Sequence, residues 1–411
     1  MTRRSAFAPF RIRSYRFQWP ADLLTSWAFE MEALILGWYV LVETNSVLLL
    51  TVYGALLYGG TLIAPMMGVA SDRIGHRNFL SGMRMIYALV AGTLMTVAFA
   101  AALSPYVVFV LAAIAGLVRP SDLGLRGALI AETMPADRLT AAMGISRTTS
   151  DSARIMGALV GAGLIALLGL APAYIVVTGF YVASAVLTRF AVPKPGAAPV
   201  VPDPAELGAP TSPWRDLKEG IVHVWNKPSL LAVVWFAVLF NFTAFSITQG
   251  LLPYVAREVY GTDQTGLGYL VASIAVGAVI GALFLSSSAV SRLPRLMIVS
   301  AVIWHILLLV FAQTQTLAAG MMVLILVGLA QSLAMVSHSV ILLQEASQRF
   351  RGRVLGVRML AIYTLPLGLV LAGVLTERIG FAATMTLYAS TGLVFTAVIG
   401  LRWRATATRD R

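Results

Sequence analysis

Cysteine is absent from all 411 residues, which excludes structural disulfides and thiolate metal sites and says nothing about redox compartment. Charge is scarce too. Asp, Glu, Lys and Arg make up 12% of the chain against 58% hydrophobic residues, roughly half the charged share of a soluble domain. Too few polar side chains remain to coat a globule of this size, so the expected solvent is lipid. Catalytic and nucleotide signatures are also missing: there is no HExxH, no GxxxxGK[ST], and no GxSxG beside a soluble domain. The expectation is therefore a non-enzyme with no cofactor and no metal, and without a nucleotide loop an ion gradient is the economical energy source. The basic stretch MTRRSAFAPFRIRSYRFQW carries no small-residue cleavage site and leads into an apolar segment long enough to span.

What is present is a series of long apolar stretches. A hydrocarbon layer about 30 Å thick needs about 20 helical residues. Stretches of that order fall near 23–42, 46–70, 80–103, 106–130, 141–168, 172–192, 229–252, 266–290, 296–313, 317–343, 354–376 and 380–401. Twelve spans with the N-terminus inside place most of the 30 Lys and Arg in cytoplasmic loops and tails. Only Arg257 and Arg378 fall on the opposite side, an imbalance that predicts both termini inside. The net charge of +12 is thus spread over loops beside lipid and forms no basic face of the kind that binds nucleic acid.

The segment 193–228 is the longest that does not span. Its Pro, Ala and Gly predict an extended linker, and TSPWRDLKEGIVHVW a short amphipathic helix, with Thr211 or Ser212 near its cap, Pro213 in its first turn and Trp214 and Trp225 suited to an interface. It separates an N-terminal bundle of six spans, 1–192, from a C-terminal bundle of six, 229–411. Two linked bundles suit a protein that rocks about a central cavity.

Between spans two and three stands GVASDRIGHRN, residues 68–78. Gly68 permits close helix approach and Gly75 a tight turn, while Asp72, Arg73 and Arg77 bring charge to the cytoplasmic mouth. A carboxylate there can meet the positive end of another helix; the same loop also reads as topological ballast. The stretch resembles the major facilitator superfamily signature G-x-x-x-D-R-x-G-R-R, with His76 in place of an arginine. SYRFQWPADLLTSWAFEMEA, MPADRLTAAMGISRTTSDSARIMGALVGAG and RGRVLGVRMLAIYTLPLGLVLAGVLTERIG are similar to bacterial proton-coupled drug exporters and to the enterobactin exporter branch. The resemblance covers nearly the whole chain. It implies an all-α polytopic membrane protein with twelve transmembrane helices in two six-helix bundles, in a bacterial inner membrane. Two departures stand out: Gly157-Ala158 replaces the exporters' G-P pair in span five, and VVFVLAA lacks the arginine that their antiporters often carry near position 108.

Ionisable residues inside the apolar layer cost several kcal/mol each and normally face a bundle interior or water. Glu30 and Glu32 lie near the middle of span one, about 200° apart around the helix, so one is expected to line a cavity and the other to meet a neighbouring helix. Glu30 is the preferred proton carrier, with Asp22, eight residues earlier, as a further station on the same broad face. The resemblance supports this, because drug exporters commonly use acids in span one; the alternative is a structural acid paired with an arginine. RPSDLGLR sets Arg119, Asp122 and Arg126 near one stripe, and RTTSDSAR sets Arg147, Asp151 and Arg154 likewise. Both triads read either as charge neutralisation for the acids of span one or as a dock for an anionic substrate or lipid headgroup.

The second half has few charges. Trp235, Phe236, Asn241, Phe245, Gln249, Tyr254, Gln331 and His338 are candidates for a soft substrate wall, although a lone histidine such as His338 is more often satisfied by helix packing. The expected partners are an amphipathic small molecule (drug-like, siderophore or lipid-like), protons and membrane lipids, with no nucleic acid or nucleotide, and the expected working form is a monomer. The predicted function is secondary export coupled to proton entry by alternating access. Uniport or proton-coupled import of an organic anion, and a non-transporting receptor or assembly protein, remain as alternatives.

Overall fold

The computed structural model describes residues 8–192, 213–287, 292–346 and 351–407, and every regular element among them is helical. After a short 3₁₀ turn at Ala8–Arg11, the chain runs through α1 Arg13–Thr44, α2 Val47–Leu56, α3 Ala64–Ile74, α4 His76–Phe99, α5 Pro105–Thr133, α6 Ala136–Leu168 and α7 Leu170–Arg189. There follow α8 Pro213–Trp225, the long helix α9 Pro228–Val259, α10 Gln264–Ser287, α11 Leu293–Phe311, α12 Leu317–Glu345, α13 Arg351–Ile362, α14 Thr364–Ile379 and α15 Phe381–Ala407.

Ten helices among the described residues are long and apolar enough to cross a membrane, and the pair Val47–Thr61 and Met66–Ile74, bent by 52°, raises the number to eleven. Twelve were expected. The difference lies in α1, which is long enough at 32 residues but whose apolar run is diluted by Glu30 and Glu32. The predicted amphipathic helix is present as α8; Thr211, Ser212 and residues 193–210 lie outside the described residues.

The chain divides into two compact units, Met1–Tyr39 with Leu56–Gly208, and Val40–Ala55 with Ala209–Arg411. In the first, α4 packs along α7, and α5 packs against α4, α6 and the 3₁₀ turn Gly59–Leu62. That turn has a physical cause. Pro120 inside α5 has no N–H to donate to the Gly116 carbonyl, and the Gly60 backbone comes so close to this stretch that a Cβ on Gly60 would stand 1.9 Å from the Leu117 oxygen. Gly116 answers from the other side, where a Cβ would meet the Leu56 oxygen at 1.9 Å. Backbone touches backbone, so the chain bends there instead of running straight.

In the second unit α10 packs along α12, and α12 and α15 flank α11. Glycine again sets the approach. A Cβ on Gly277 would lie 1.8 Å from the Ile325 oxygen, and one on Gly328 1.9 Å from the Ile274 oxygen. Small residues of this kind let membrane helices draw together where no hydrophobic force drives them. The turn after α1 is fixed inside the same unit. Asn45 adopts φ 49°, a left-handed conformation that asparagine tolerates. Arg257 donates to the Leu41 carbonyl at 2.9 Å and to Asn45 Oδ1 at 2.7 Å. Glu377 accepts from the Leu48 N–H at 3.2 Å and from the Ser46 hydroxyl at 2.7 Å. A cation thus meets the carbonyl end of α1 and an anion the amide end of α2, as the helix dipoles favour.

Gly328→Ala is expected to lower the thermal unfolding midpoint of the detergent-purified protein, since overpacking of this kind costs about 1–3 kcal/mol or more. Gly179→Ala, at a helical position with nothing within 4 Å, is expected to leave the midpoint unchanged.

Candidate functional site: a charged interior in the first unit

α1 and α5 lie side by side in opposite directions. Thr133 donates to Gln18 Oε1 at 3.3 Å, and Gln18 Nε2 donates to the Arg126 carbonyl at 3.2 Å. Farther along α1, Phe29 lies 4.6 Å beneath the guanidinium of Arg119. This register decides which charges meet. At one level Asp22 of α1 pairs with Arg84 of α4, and Asp122 pairs with Arg126 one turn along α5. Arg126 Nε stands 3.8 Å from Asp22 and Arg84 Nε 3.9 Å from Asp122, which closes a ring of two acids and two arginines. Thr188 of α7 accepts from Arg84, and Ser26 accepts from Arg126 at 2.6 Å. All four charged side chains are buried. Their charges sum to zero, the condition under which ionised groups survive in an apolar interior.

Asp22 is therefore enclosed between two arginines and does not share an open face with Glu30, contrary to its expected place as a second proton station. Arg84 is the member that pattern reading missed. The signal was available in an arginine standing inside an otherwise apolar span, but nothing in the sequence said which acid it would meet.

Two turns farther along α1 the chemistry changes. Glu32 is buried, its side chain turned to α7, and accepts a hydrogen bond from the Tyr181 hydroxyl at 2.9 Å. Glu30 keeps 27% of its side chain exposed and lies 3.9 Å from Arg154 of α6, itself 36% exposed. Glu32 thus meets a neighbouring helix, and Glu30, the candidate for lining a cavity, is the more exposed of the two. Glycine brings Arg154 to this place: a Cβ on Gly157 would stand 2.7 Å from the Glu30 Cβ, and one on Gly161 3.0 Å from the Met31 Cα. Close packing at Gly157 and Gly161 thus persists without the exporters' proline. Tyr58 lies within electrostatic reach of Arg119, Arg154 and Glu30, so two acids, two arginines, two tyrosines and Phe29 gather in one region.

The two predicted arginine stripes are therefore divided. Asp122 and Arg126 join the buried ring, whereas Arg119 lies beside Phe29. Arg154 turns to Glu30, Arg147 is exposed, and the Asp151 side chain lies outside the described residues.

In the segment 68–78, Gly75 has φ 90° and makes the turn between α3 and α4. Gly68 does not mark a close approach, since a Cβ there would meet nothing within 4 Å. Asp72, 70% exposed, lies 3.3 Å from His76 Nε2, and His76 Nδ1 lies 2.6 Å from Glu132 at the end of α5. The histidine that replaces an arginine thus joins three helices, and no pattern in the sequence pointed to Glu132 as its partner. Arg73 is exposed, and Arg77 lines a pocket described below.

The predicted wall in the second unit is dispersed. Phe236 and His338 are core residues: Phe236 lies tilted against Phe240, and His338 Nε2 lies 3.0 Å from the Val233 carbonyl. Asn241 donates to Ala237 of its own helix at 2.8 Å, and Gln331 is buried. Trp235 is exposed in an outer groove with Trp225 and Phe395. Gln249 is exposed, Phe245 packs edge-on to Trp304, and Tyr254 lies against Phe381. Alternation of aromatic and polar residues could not say which side of α9 is inward, because both sides of a membrane helix are apolar. His305, buried between Thr243 Oγ1 at 3.0 Å and the Ala301 carbonyl at 2.8 Å, is a second packing histidine that pattern reading left out.

Residues 23–366 and 234–411 match the Major Facilitator Superfamily. The chain belongs to this superfamily. Membership makes it a secondary transporter of a small organic molecule that works by alternating access, on a transport fold and not a catalytic one. It is 28% identical over 323 residues to the multidrug efflux pump Tap of Mycobacterium tuberculosis, an alignment covering 75% of this chain and 73% of the pump. The fold is similar to that of the POT family transporter PepTSo, with a TM-score of 0.77 at 12% identity over 96% of this chain and 98% of the other. It is similar as well to a bacterial homologue of the human lysosomal transporter Spinster in its inward-facing, unoccupied conformation, with a TM-score of 0.74 at 12% identity over 95% and 97% of the two chains. For this facilitator, then, the charged interior belongs to a multi-pass membrane transporter.

Breaking the ring from one side strands a buried charge, which costs about 3–5 kcal/mol. Arg84→Gln is expected to lower the thermal unfolding midpoint sharply, and adding Asp22→Asn to it to restore part of the loss. Equal midpoints for the single and double variants would separate Asp22 from Arg84 energetically.

Proposed function

We propose that this facilitator exports a small amphipathic compound, drug-like, siderophore or lipid-like, in exchange for protons across a bacterial inner membrane. The reading includes twelve spans in two six-helix bundles, both termini in the cytoplasm, and a monomer as the working form. The observation that carries it is Glu30, an accessible carboxylate in the middle of α1 set 3.9 Å from Arg154. Ionised, Glu30 holds the guanidinium. A proton on Glu30 removes that attraction and releases the arginine. A cationic substrate competes with the proton for the carboxylate, while an anionic group takes up the released Arg154; either exchange ties substrate movement to proton movement. Glu32 and Tyr181 act behind this pair as a fixed hydrogen-bonded wall. Export is supported by the likeness to an efflux pump, and proton coupling by the position of Glu30. The helix–turn–helix segment of Gly68, Asp72, Arg73, Gly75 and Arg77 is assigned to the cytoplasmic gate, with Asp72 as its latch.

One observation favours a second reading. Arg119 and Arg154 both approach the Glu30 region, which suits uniport or proton-coupled import of an organic anion.

In proteoliposomes, an amphipathic cation added on the cytoplasmic face is expected to drive proton movement in the opposite direction. Glu30→Gln is expected to abolish the proton signal while leaving the thermal midpoint near that of the parent. A variant that still moves substrate with unchanged proton exchange would remove Glu30 from the mechanism. Proton flow in the same direction as an added organic anion would favour the second reading.

A further inference from the structure

At the end of the first unit where α4 begins and α7 finishes, a pocket of about 370 Å³ is lined by Arg77, Asn78, Ser81 and Arg189. Its hydrogen bonds use little of its capacity. Arg189 Nε donates to the Ser81 hydroxyl at 3.4 Å, Ser81 donates to the Ala185 carbonyl at 3.1 Å, and Arg77 Nε donates to Asn78 Oδ1 at 3.3 Å. Neither guanidinium has a carboxylate at ion-pair distance among the described residues. Every other arginine placed in the charged interior above faces an acid or an aromatic ring; these two face a cavity. Two guanidinium forks with an amide and a hydroxyl between them make a receptor for a phosphate group, since arginine donors match its oxygens in pairs.

What lies next to the pocket narrows the ligand. One turn on from Ser81 is Met85, with Leu89 a turn beyond, and one and two turns back from Arg189 are Val186 and Val182. All four are exposed on the helices that pack together behind the pocket. An apolar strip thus leads from the polar pocket along the membrane-facing side of α4 and α7. The surplus of Lys and Arg in neighbouring loops predicts that this end faces the cytoplasm, where anionic lipid headgroups lie.

We propose that the Arg77–Arg189 pocket holds the phosphodiester of an anionic glycerophospholipid of the cytoplasmic leaflet, with an acyl chain along Met85, Leu89, Val182 and Val186. Arg77 is itself part of the segment assigned to the gate, so a bound headgroup would lie against that segment. The site is separate from Glu30 and stands whichever way substrate and protons travel.

Parent, Arg189→Gln and Arg189→Lys proteins in a neutral detergent would be incubated with phosphatidylglycerol, phosphatidylcholine or soluble glycerol phosphate. Native mass spectrometry would count the bound species, and thermal unfolding would be followed in parallel. The parent is expected to retain phosphatidylglycerol over phosphatidylcholine and to gain stability from it. Arg189→Gln is expected to lose that retention severalfold, and Arg189→Lys to keep part of it. Should Arg189→Gln fail to fold, Asn78→Leu, which replaces a polar lining residue with an apolar one, is expected to give the same loss. Equal retention of the two lipids, or undiminished retention in the variant that folds, would overturn the site. Glycerol phosphate stabilising as strongly as phosphatidylglycerol would overturn the lipid assignment in favour of a soluble phosphorylated ligand.

Discussion

The ring of Asp22, Arg84, Asp122 and Arg126 is the constraint around which the first unit is organised. Two acids and two arginines from α1, α4 and α5 tolerate an apolar interior only together, because removing any one leaves its partner uncompensated. That requirement fixes the register of α1 against α5. Register in turn places Arg119 beside Phe29 and brings Glu30 to the level where α6 delivers Arg154. The ring is buried, whereas the pair beyond it stays accessible. Two carboxylates only eight residues apart on one helix thus hold unlike positions because their surroundings differ.

The two units reach close packing by different means. In the second, few charges are present and helices are drawn together at glycines, where the backbones of α10 and α12 touch, while rings such as Phe236, Phe240 and Trp304 fill the centre. In the first, glycines at Gly60, Gly116, Gly157 and Gly161 do the same service, but they bring charged groups with them.

Much of this was legible beforehand. Hydropathy located the helices, because a span must be long and continuous in its apolar character, and the motif at 68–78 named the family. The inequality of Glu30 and Glu32 followed from their angular separation alone. Pairing was not legible. Nothing local says that Arg84 meets Asp22 or that His76 meets Glu132, since those distances arise from helix crossings set by glycines far away in sequence. The substrate wall failed for a related reason. Inward and outward faces of a membrane helix differ little in composition, so Trp235 and Phe236, adjacent in the chain, could not be sorted without coordinates.

α9 is not a uniform α-helix: Phe240–Phe245 and Val255–Val259 are wound as π turns, and Gly368 of α14 crosses at the first of them, where a Cβ would stand 2.2 Å from the Ser246 hydroxyl. Such a turn carries one more residue than its α counterpart. In effect the helix has a spare tooth. Tightening that turn by one residue swivels everything downstream by about 100°, so Gln249 and Tyr254 would present themselves to new neighbours while the helix stayed continuous.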